Sequence, residues 1–259
     1  MRLIRVMSLS AWMNFKQSIV QPGAIGIMLM GPFFYAVTAM YMLRHRPDFD
    51  PVYLVVGVGL AGVWSSIVWV GGSIISSERS LGTLETLEAS PVSLFVIFGG
   101  KMLANVALAL FSAVPGYLVG AWFFGYSITV SNPGGFVVSV FLTLFAVWSM
   151  ALLVAPVYLL WPPVGNLLTA TEYPIYILSG FLVPVTLLPT WLHPLSFLLP
   201  PFWAASALHE TSSGAPSVAD TLVVWGAVLG SSFLVLLAAR WLFVHMSVRA
   251  RREGRLGWV

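Results

Sequence analysis

The sequence predicts an all-α, polytopic membrane protein with six transmembrane helices, and three observations predict it. Only 8% of the residues are charged while 59% are hydrophobic, against roughly 25% charged in soluble domains. The mean hydropathy is +0.93. Uncharged runs also recur at lengths that suit a bilayer, whose ~30 Å hydrocarbon core takes about 20 apolar residues of helix to cross. One membrane domain over 1–259, with no separate soluble domain, is the expected organisation. The chain has no cysteine, which excludes disulfides, thiolate metal sites and cysteine nucleophiles. Its net charge of +3 and pI of 9.4 do not point to nucleic acid. Basic residues toward the ends of an apolar chain suit membrane lipid headgroups and orientation instead.

The elements follow in order. Residues 1–22 combine basic residues with an apolar run, as a signal peptide does, but Ser8, Ser10 and Asn14 interrupt the run and no small-x-small cleavage site stands out. An interfacial helix is the better reading, although its apolar residues form no clean stripe. The first span is expected over 25–43, ended by "RHRPDFDP" (44–51) with its two prolines. The second covers 52–75. No Asp, Glu, Lys, Arg or His occurs from Met102 to Thr171, far too long a run for one crossing. "GYSITVSNPGG" (125–135) carries the turn chemistry that divides it into a third span at 94–123 and a fourth at 136–160. "WPPVGN" (161–166) ends the fourth, and a fifth is expected over 167–185. Prolines 184, 189, 194, 200 and 201 forbid a straight crossing in 184–210. Two short re-entrant helices, sheltered by protein, fit that segment. An exposed loop at 211–220 and a last span at 221–244 lead to a basic tail, 245–259.

Six spans place both termini on one side. If that side is cytoplasmic, it holds Arg2, Arg5, Lys16, Arg79, Lys101, Arg240, Arg249, Arg251, Arg252 and Arg255, and the other side only Arg44 and Arg46. The positive-inside rule then makes both termini cytoplasmic, and with them the charged segment between spans two and three. That segment, "SSERSLGTLETLEASPVS" (76–93), raises its own question. At ~100° per residue, Leu81, Leu84 and Leu87 fall within about a third of the helical circumference, with Glu78 and Glu85 to one side and Glu88 overlapping. Gly82 is a poor helix-interior residue, so the helix is expected to begin near Thr83. Pro91, with Ser90 before it, ends it. The bland reading is a solvated loop with ordinary charges. The functional reading is a short helix, fixed between two spans, that passes a push on its outer face to both.

The string "SERSLGTLETLEASPVSLFVIFGGKML" (77–103) resembles the cytoplasmic motif of type-2 ABC transporter permeases, which carry Glu-Arg-x-x-Gly-Thr-x-Glu-x-Leu-x-x-Ser-Pro-[Val/Leu]-[Ser/Thr] and then a Gly-Lys pair. Glu78, Arg79, Gly82, Thr83, Glu85, Leu87, Ser90, Pro91, Val92, Ser93, Gly100 and Lys101 match it. "YILSGFLVPVTLLPTWLHPLSFLLPPFWAASAL" (176–208) is similar to the family's Leu-Ser-Gly-x-x-x-Pro stretch and the extracellular re-entrant helices after it. The resemblance covers essentially the whole chain. It implies that 78–92 is a coupling helix docking on an ATP-binding subunit. Glu78, Arg79 and Glu85 would be its polar contacts, Leu84 and Leu87 its packing anchors and Gly82 a point of close approach; Thr83, Ser90 and Pro91 complete the candidate docking site. It further implies two ATP-binding subunits per complex, a second permease copy or a paralogue, ATP and magnesium held by the partner, and a bacterial inner membrane. The expected activity is ATP-driven efflux of an amphiphilic small molecule, drug or lipid by alternating access; export of a lipid-linked polysaccharide is the alternative within the family.

The chain itself has no P-loop: Gly100-Lys101 is followed by Met102, and Phe95 stands where the first loop glycine should be. No bound cofactor and no catalytic residue are expected. A membrane enzyme would need facing sets of His, Glu or Asp, yet His45, His193, His209 and His245 show no metal-binding spacing. An ATP-independent transporter or channel would need an ionisable group at depth, and Glu172 is the candidate. It either faces the translocation path or is a structural residue, lying just below the membrane or paired to a partner chain; the structural reading is favoured. Trp122, Phe123, Phe124, Tyr126, Trp191 and Trp203 read as an interfacial belt.

Overall fold

Prolines and glycines punctuate a chain that is otherwise free to be helical, and in the computed structural model every described element is helical. Described are residues 2–20, 22–45, 50–160, 170, 172–214 and 217–252. Helix α1 is Arg2–Val20 and α2 is Pro22–Leu43. Asp50 caps α3 (Pro51–Ser80), its side chain accepting from the Val52 N–H at 2.9 Å with Pro51 pre-set for the first turn. A six-residue helix, α4 (Thr83–Glu88), leads to α5 (Leu94–Ala109).

The expected third span, 94–123, is a continuous helical path, but it is not regular. After α5 it tightens to a 3-10 turn at Leu110–Ser112, returns to α-helix as α6 (Ala113–Leu118) and widens to a π-turn at Val119–Phe123. Pro115 has no N–H to donate into the preceding turn, and its ring crowds the carbonyl four residues back, which accounts for the break there. Helix α7 (Pro133–Leu160) follows, then α8 (Glu172–Leu178), two 3-10 turns at Val185–Leu187 and Thr190–Leu192, α9 (His193–Leu198), α10 (Pro200–Ser213) and α11 (Val218–Arg252).

Among the described residues four helical stretches are long and apolar enough to cross a membrane: Pro51–Val68, Leu94–Phe123, Pro133–Val157 and Val218–Arg249. A shorter apolar stretch, Leu29–Met42, lies in α2. Two expectations need correction. The fifth span, expected to 185, stops at Leu178, because the chain turns through Ser179 and Gly180, where φ is +70°; its start falls partly outside the described residues, as do 161–166. The loop expected at 211–220 begins later, since α10 runs to Ser213 with Thr211 and Ser212 fully buried. Their carbonyls accept from the N–H groups of Asn132 (3.1 Å) and Ser131 (3.0 Å), which ties the end of α10 to the turn before α7. The segment 184–210 does break into short helices, and the tail is helical to Arg252.

Helix α11 runs along α7, with α10 packed on both; α3 touches α2, α5, α6 and α7, and α1 lies on α5. Lipid is as apolar as leucine, so helices in a bilayer associate through close van der Waals contact more than through burial from water. Two glycines permit the closest approaches. A Cβ on Gly57 would stand 1.9 Å from the Phe181 carbonyl oxygen, and one on Gly100 would stand 2.2 Å from that of Met7. The main core joins α3 (Ile67, Ile75), α4 (Leu84), α5 (Phe98, Met102), α7 (Leu152) and α11 (Phe243).

Candidate functional site

The junction between α3 and α5 is built by a stop and a restart of helix. At the end of α3 the Leu81 N–H donates to the Ser77 carbonyl and the Gly82 N–H to that of Arg79, both at 3.0 Å. Gly82 then takes φ +68°, ψ +10°, a left-handed conformation that costs a residue with a Cβ roughly 1–2 kcal/mol. Thr83 opens α4, where the sequence places the start. The Ala89 N–H closes it on the Glu85 carbonyl at 2.9 Å, Ser90 Oγ bonds the Val92 carbonyl at 3.0 Å, and Pro91 stands in the turn before Ser93 opens α5.

The left-handed glycine also resets the helical register, so the three leucines do not share a face. Leu84 is fully buried against the main core, and Leu87 is half-buried against the same residues, whereas Leu81 is 67% exposed. Leu84, expected as an anchor for a partner, is buried in the core that α4 shares with α3, α5, α7 and α11. Leu81, Gly82, Thr83, Glu85, Thr86 and Pro91 are exposed.

Glu78 is committed inside the chain as well. Its carboxylate pairs with Lys101 of α5, and the Thr83 hydroxyl lies 2.5 Å from Oε2 and 3.1 Å from the Glu78 carbonyl. Burial pushes the Glu78 carboxyl up, but the Lys101 and Thr83 hydrogen bonds and the Lys101 charge outweigh it and hold the group below its ordinary value. Arg79 is buried, 7% exposed. Asn14 of α1 donates to the Lys101 carbonyl at 3.1 Å. Thus Glu78, Thr83, Leu84 and Leu87 come together as a clamp on the chain's own helices, and Glu85 is the acidic residue of the motif left fully open. The sequence places Lys101 in the motif and among the basic residues of one side, without pairing it to Glu78. Lone opposite charges at the ends of two successive apolar spans were the available signal for the pair.

Glu172 lies elsewhere, in the first turn of α8, and is 4% exposed. The hydroxyls of Ser65 and Tyr176 donate to its carboxylate, Tyr176 also lies 3.1 Å from the Ala61 carbonyl, and the Tyr35 and Tyr173 hydroxyls meet nearby at 3.5 Å. The partners of Glu172 are thus Ser65 of α3 and Tyr176 of its own helix α8, both within this chain. The aromatic belt divides: Trp122, Phe123 and Trp191 are strongly exposed, whereas Phe124 and Tyr126 stack on each other and Trp203 donates to the Phe197 carbonyl at 2.8 Å. No group of three His, Asp or Glu that could hold a metal ion occurs among the described residues.

Compared with known families, the chain matches the profile of the ABC-2 type transporter over residues 4–211. That span runs from α1 into the last turn of α10 and includes both motifs. No curated protein matches the chain.

Proposed function

As this chain belongs to the ABC-2 type transporter family, and is therefore a multi-pass membrane permease subunit that associates with an ATP-binding subunit, we propose that it exports an amphiphilic small molecule, drug or lipid and that α4 is its coupling helix. The observation that carries this reading is the two-sided character of α4. One side is locked by Leu84 into a core shared with α3, α5, α7 and α11, while Glu85 and Thr86 on the other, and Leu81 in the turn before α4, are open. A displacement applied to the open side is transmitted to several spans at once, because a packed core does not absorb it. Two ATP-binding subunits closing on each other would supply that displacement, one to each of two permease copies in an inner membrane, with α4 and both termini in the cytoplasm. The scarcity of charge along the spans favours an amphiphilic cargo over an ion.

Two kinds of substitution, in α4 and the turn before it, test the assignment. Leu81→Asp with Glu85→Arg changes only the open side, so the melting temperature should hold, since surface changes away from special features fall within about ±0.5 kcal/mol. Co-purification of a stoichiometric ATP-binding subunit should be lost. Leu84→Ala should do the reverse, lowering stability by roughly 2–5 kcal/mol while leaving residual partner bound. Retention of partner and transport in the Leu81→Asp, Glu85→Arg protein would remove α4 from the docking surface.

A further inference from the structure

At the end of α3 far from α4, a cavity of about 300 Å³ opens between Tyr53 of α3, Ser179 after α8, Phe197 of α9, and Phe202, His209 and Glu210 of α10. Water occupies about 30 Å³ per molecule, so the space suits a small headgroup. Tyr53 donates to the Gly180 carbonyl at 2.8 Å and His193 Nε2 lies 3.2 Å from the Leu188 carbonyl, but other polar atoms of the lining have no protein partner. Glu210 Oε2 and Ser179 Oγ are closed off with no hydrogen-bond partner, and Ser179 is 1% exposed. The His209 ring nitrogens lean toward the backbone of Gly180 and Phe181 without a hydrogen bond of good geometry. Buried polar groups are nearly always paired, because an orphan loses its water without gaining a partner. Two orphans, Ser179 and Glu210, lining one cavity describe a site shaped for something else.

The lining identifies its chemistry. Among the described residues no lysine or arginine lines the cavity, and Asp50 and Asp220 add negative charge beside His209 and Glu210. His209 lies flat on Tyr53, ring centroids 3.6 Å apart at 11°, and burial pushes its pKa down to about 4, so at neutral pH the ring carries no charge. Burial, helped by Asp220, pushes the Glu210 carboxyl up; its anion is poorly solvated and gains from any cation that arrives. Aromatic faces around a carboxylate attract organic cations, and the described residues offer no three-ligand metal site. We infer that this cavity binds an ammonium group, with Glu210 as counter-ion, Ser179 as hydrogen-bond acceptor and Tyr53, Phe197 and Phe202 as the aromatic wall. The ammonium belongs either to a free small amine or to an aminated lipid headgroup.

The test needs no transport, so its result stands apart from the export reading. The full chain, labelled with 13C,15N-histidine and placed in phosphatidylglycerol nanodiscs, is titrated with ethanolamine while ring resonances are followed. The chain has four histidines, so the spectrum is sparse. His209 should shift saturably while His45 and His245 stay fixed, uncharged ethylene glycol should do nothing, and Glu210→Gln should weaken the response at least tenfold. If phosphatidylethanolamine nanodiscs already shift His209 and flatten the titration, and Glu210→Gln reverses that shift, the occupant is the lipid headgroup. Should Glu210→Gln also move His45 and His245, Ser179→Ala replaces it, with a several-fold loss expected. A silent His209 in both lipids, an equal response to ethylene glycol, or an unchanged response in the variants overturns the inference.

Discussion

Lys101 and Glu78 are each largely shielded, with side chains 13% and 15% exposed, and at that depth an ion pair is worth more to break than to make. Removing one partner strands the other in a poorly solvated place, whereas removing both relieves the cost of burying charge. Glu78→Gln and Lys101→Met should each lower stability by roughly 1–3 kcal/mol, and the double variant should lose less than the sum, with a coupling of about 0.5–3 kcal/mol. The sign of the pH dependence follows from the lowered Glu78 carboxyl. The folded chain holds the proton less well than the unfolded one, so the stabilisation is complete above the ordinary carboxylate pKa and is lost as pH falls through the lower folded value. Melting in nanodiscs between pH 7 and pH 3 should show a slope in the wild type that Glu78→Gln flattens. Equal slopes, or additive single variants, would show that the pair holds nothing together.

At the scale of elements, the boundaries written by special residues were legible, and those written by contacts were not. Gly82 and Pro91 bracket α4 as the sequence implies, and Asp50-Pro51 opens α3. The fate of Leu81 was not legible, because a helical wheel assumes an unbroken helix and the left-handed Gly82 turns the register between Leu81 and Leu84. Nor was the burial of Thr211, which depends on Asn132, 79 positions earlier (211 − 132). The seating of α1 is the largest such case. Its apolar residues form no stripe, and what holds it on α5 is backbone proximity at Gly100 together with Asn14 on the Lys101 carbonyl. Gly100→Leu should force the two helices apart at an overpacking cost of about 1–3 kcal/mol. Trypsin cleavage after the exposed Lys16 should then rise sharply, because a protease needs local opening of the helix. An unchanged cleavage rate would mean that α1 is held by other contacts.

For the whole molecule, the argument turns on which end faces which compartment. Helix α3 has 30 residues, about 45 Å at 1.5 Å per residue, comparable to a bilayer with its headgroups. On the proposed reading its two ends, α4 at one and the Glu210 cavity at the other, belong to opposite surfaces. Leu222, Leu229, Phe233, Leu237 and Trp241 of α11 form one exposed apolar face between those levels, as a lipid-facing helix requires. The proposed orientation puts α4 inside, the side that the distribution of arginine and lysine favours, and from there a motor fuelled by cytosolic ATP could reach it. Because the chain has no cysteine, single cysteines at the exposed positions Glu85 and Asp220 decide the matter directly. In intact cells an impermeant maleimide should label Asp220→Cys at once and leave Glu85→Cys untouched until the membrane is permeabilised. Labelling of Glu85→Cys from outside would invert the orientation, and with it any route by which a cytosolic ATPase could push on Leu81 and Glu85.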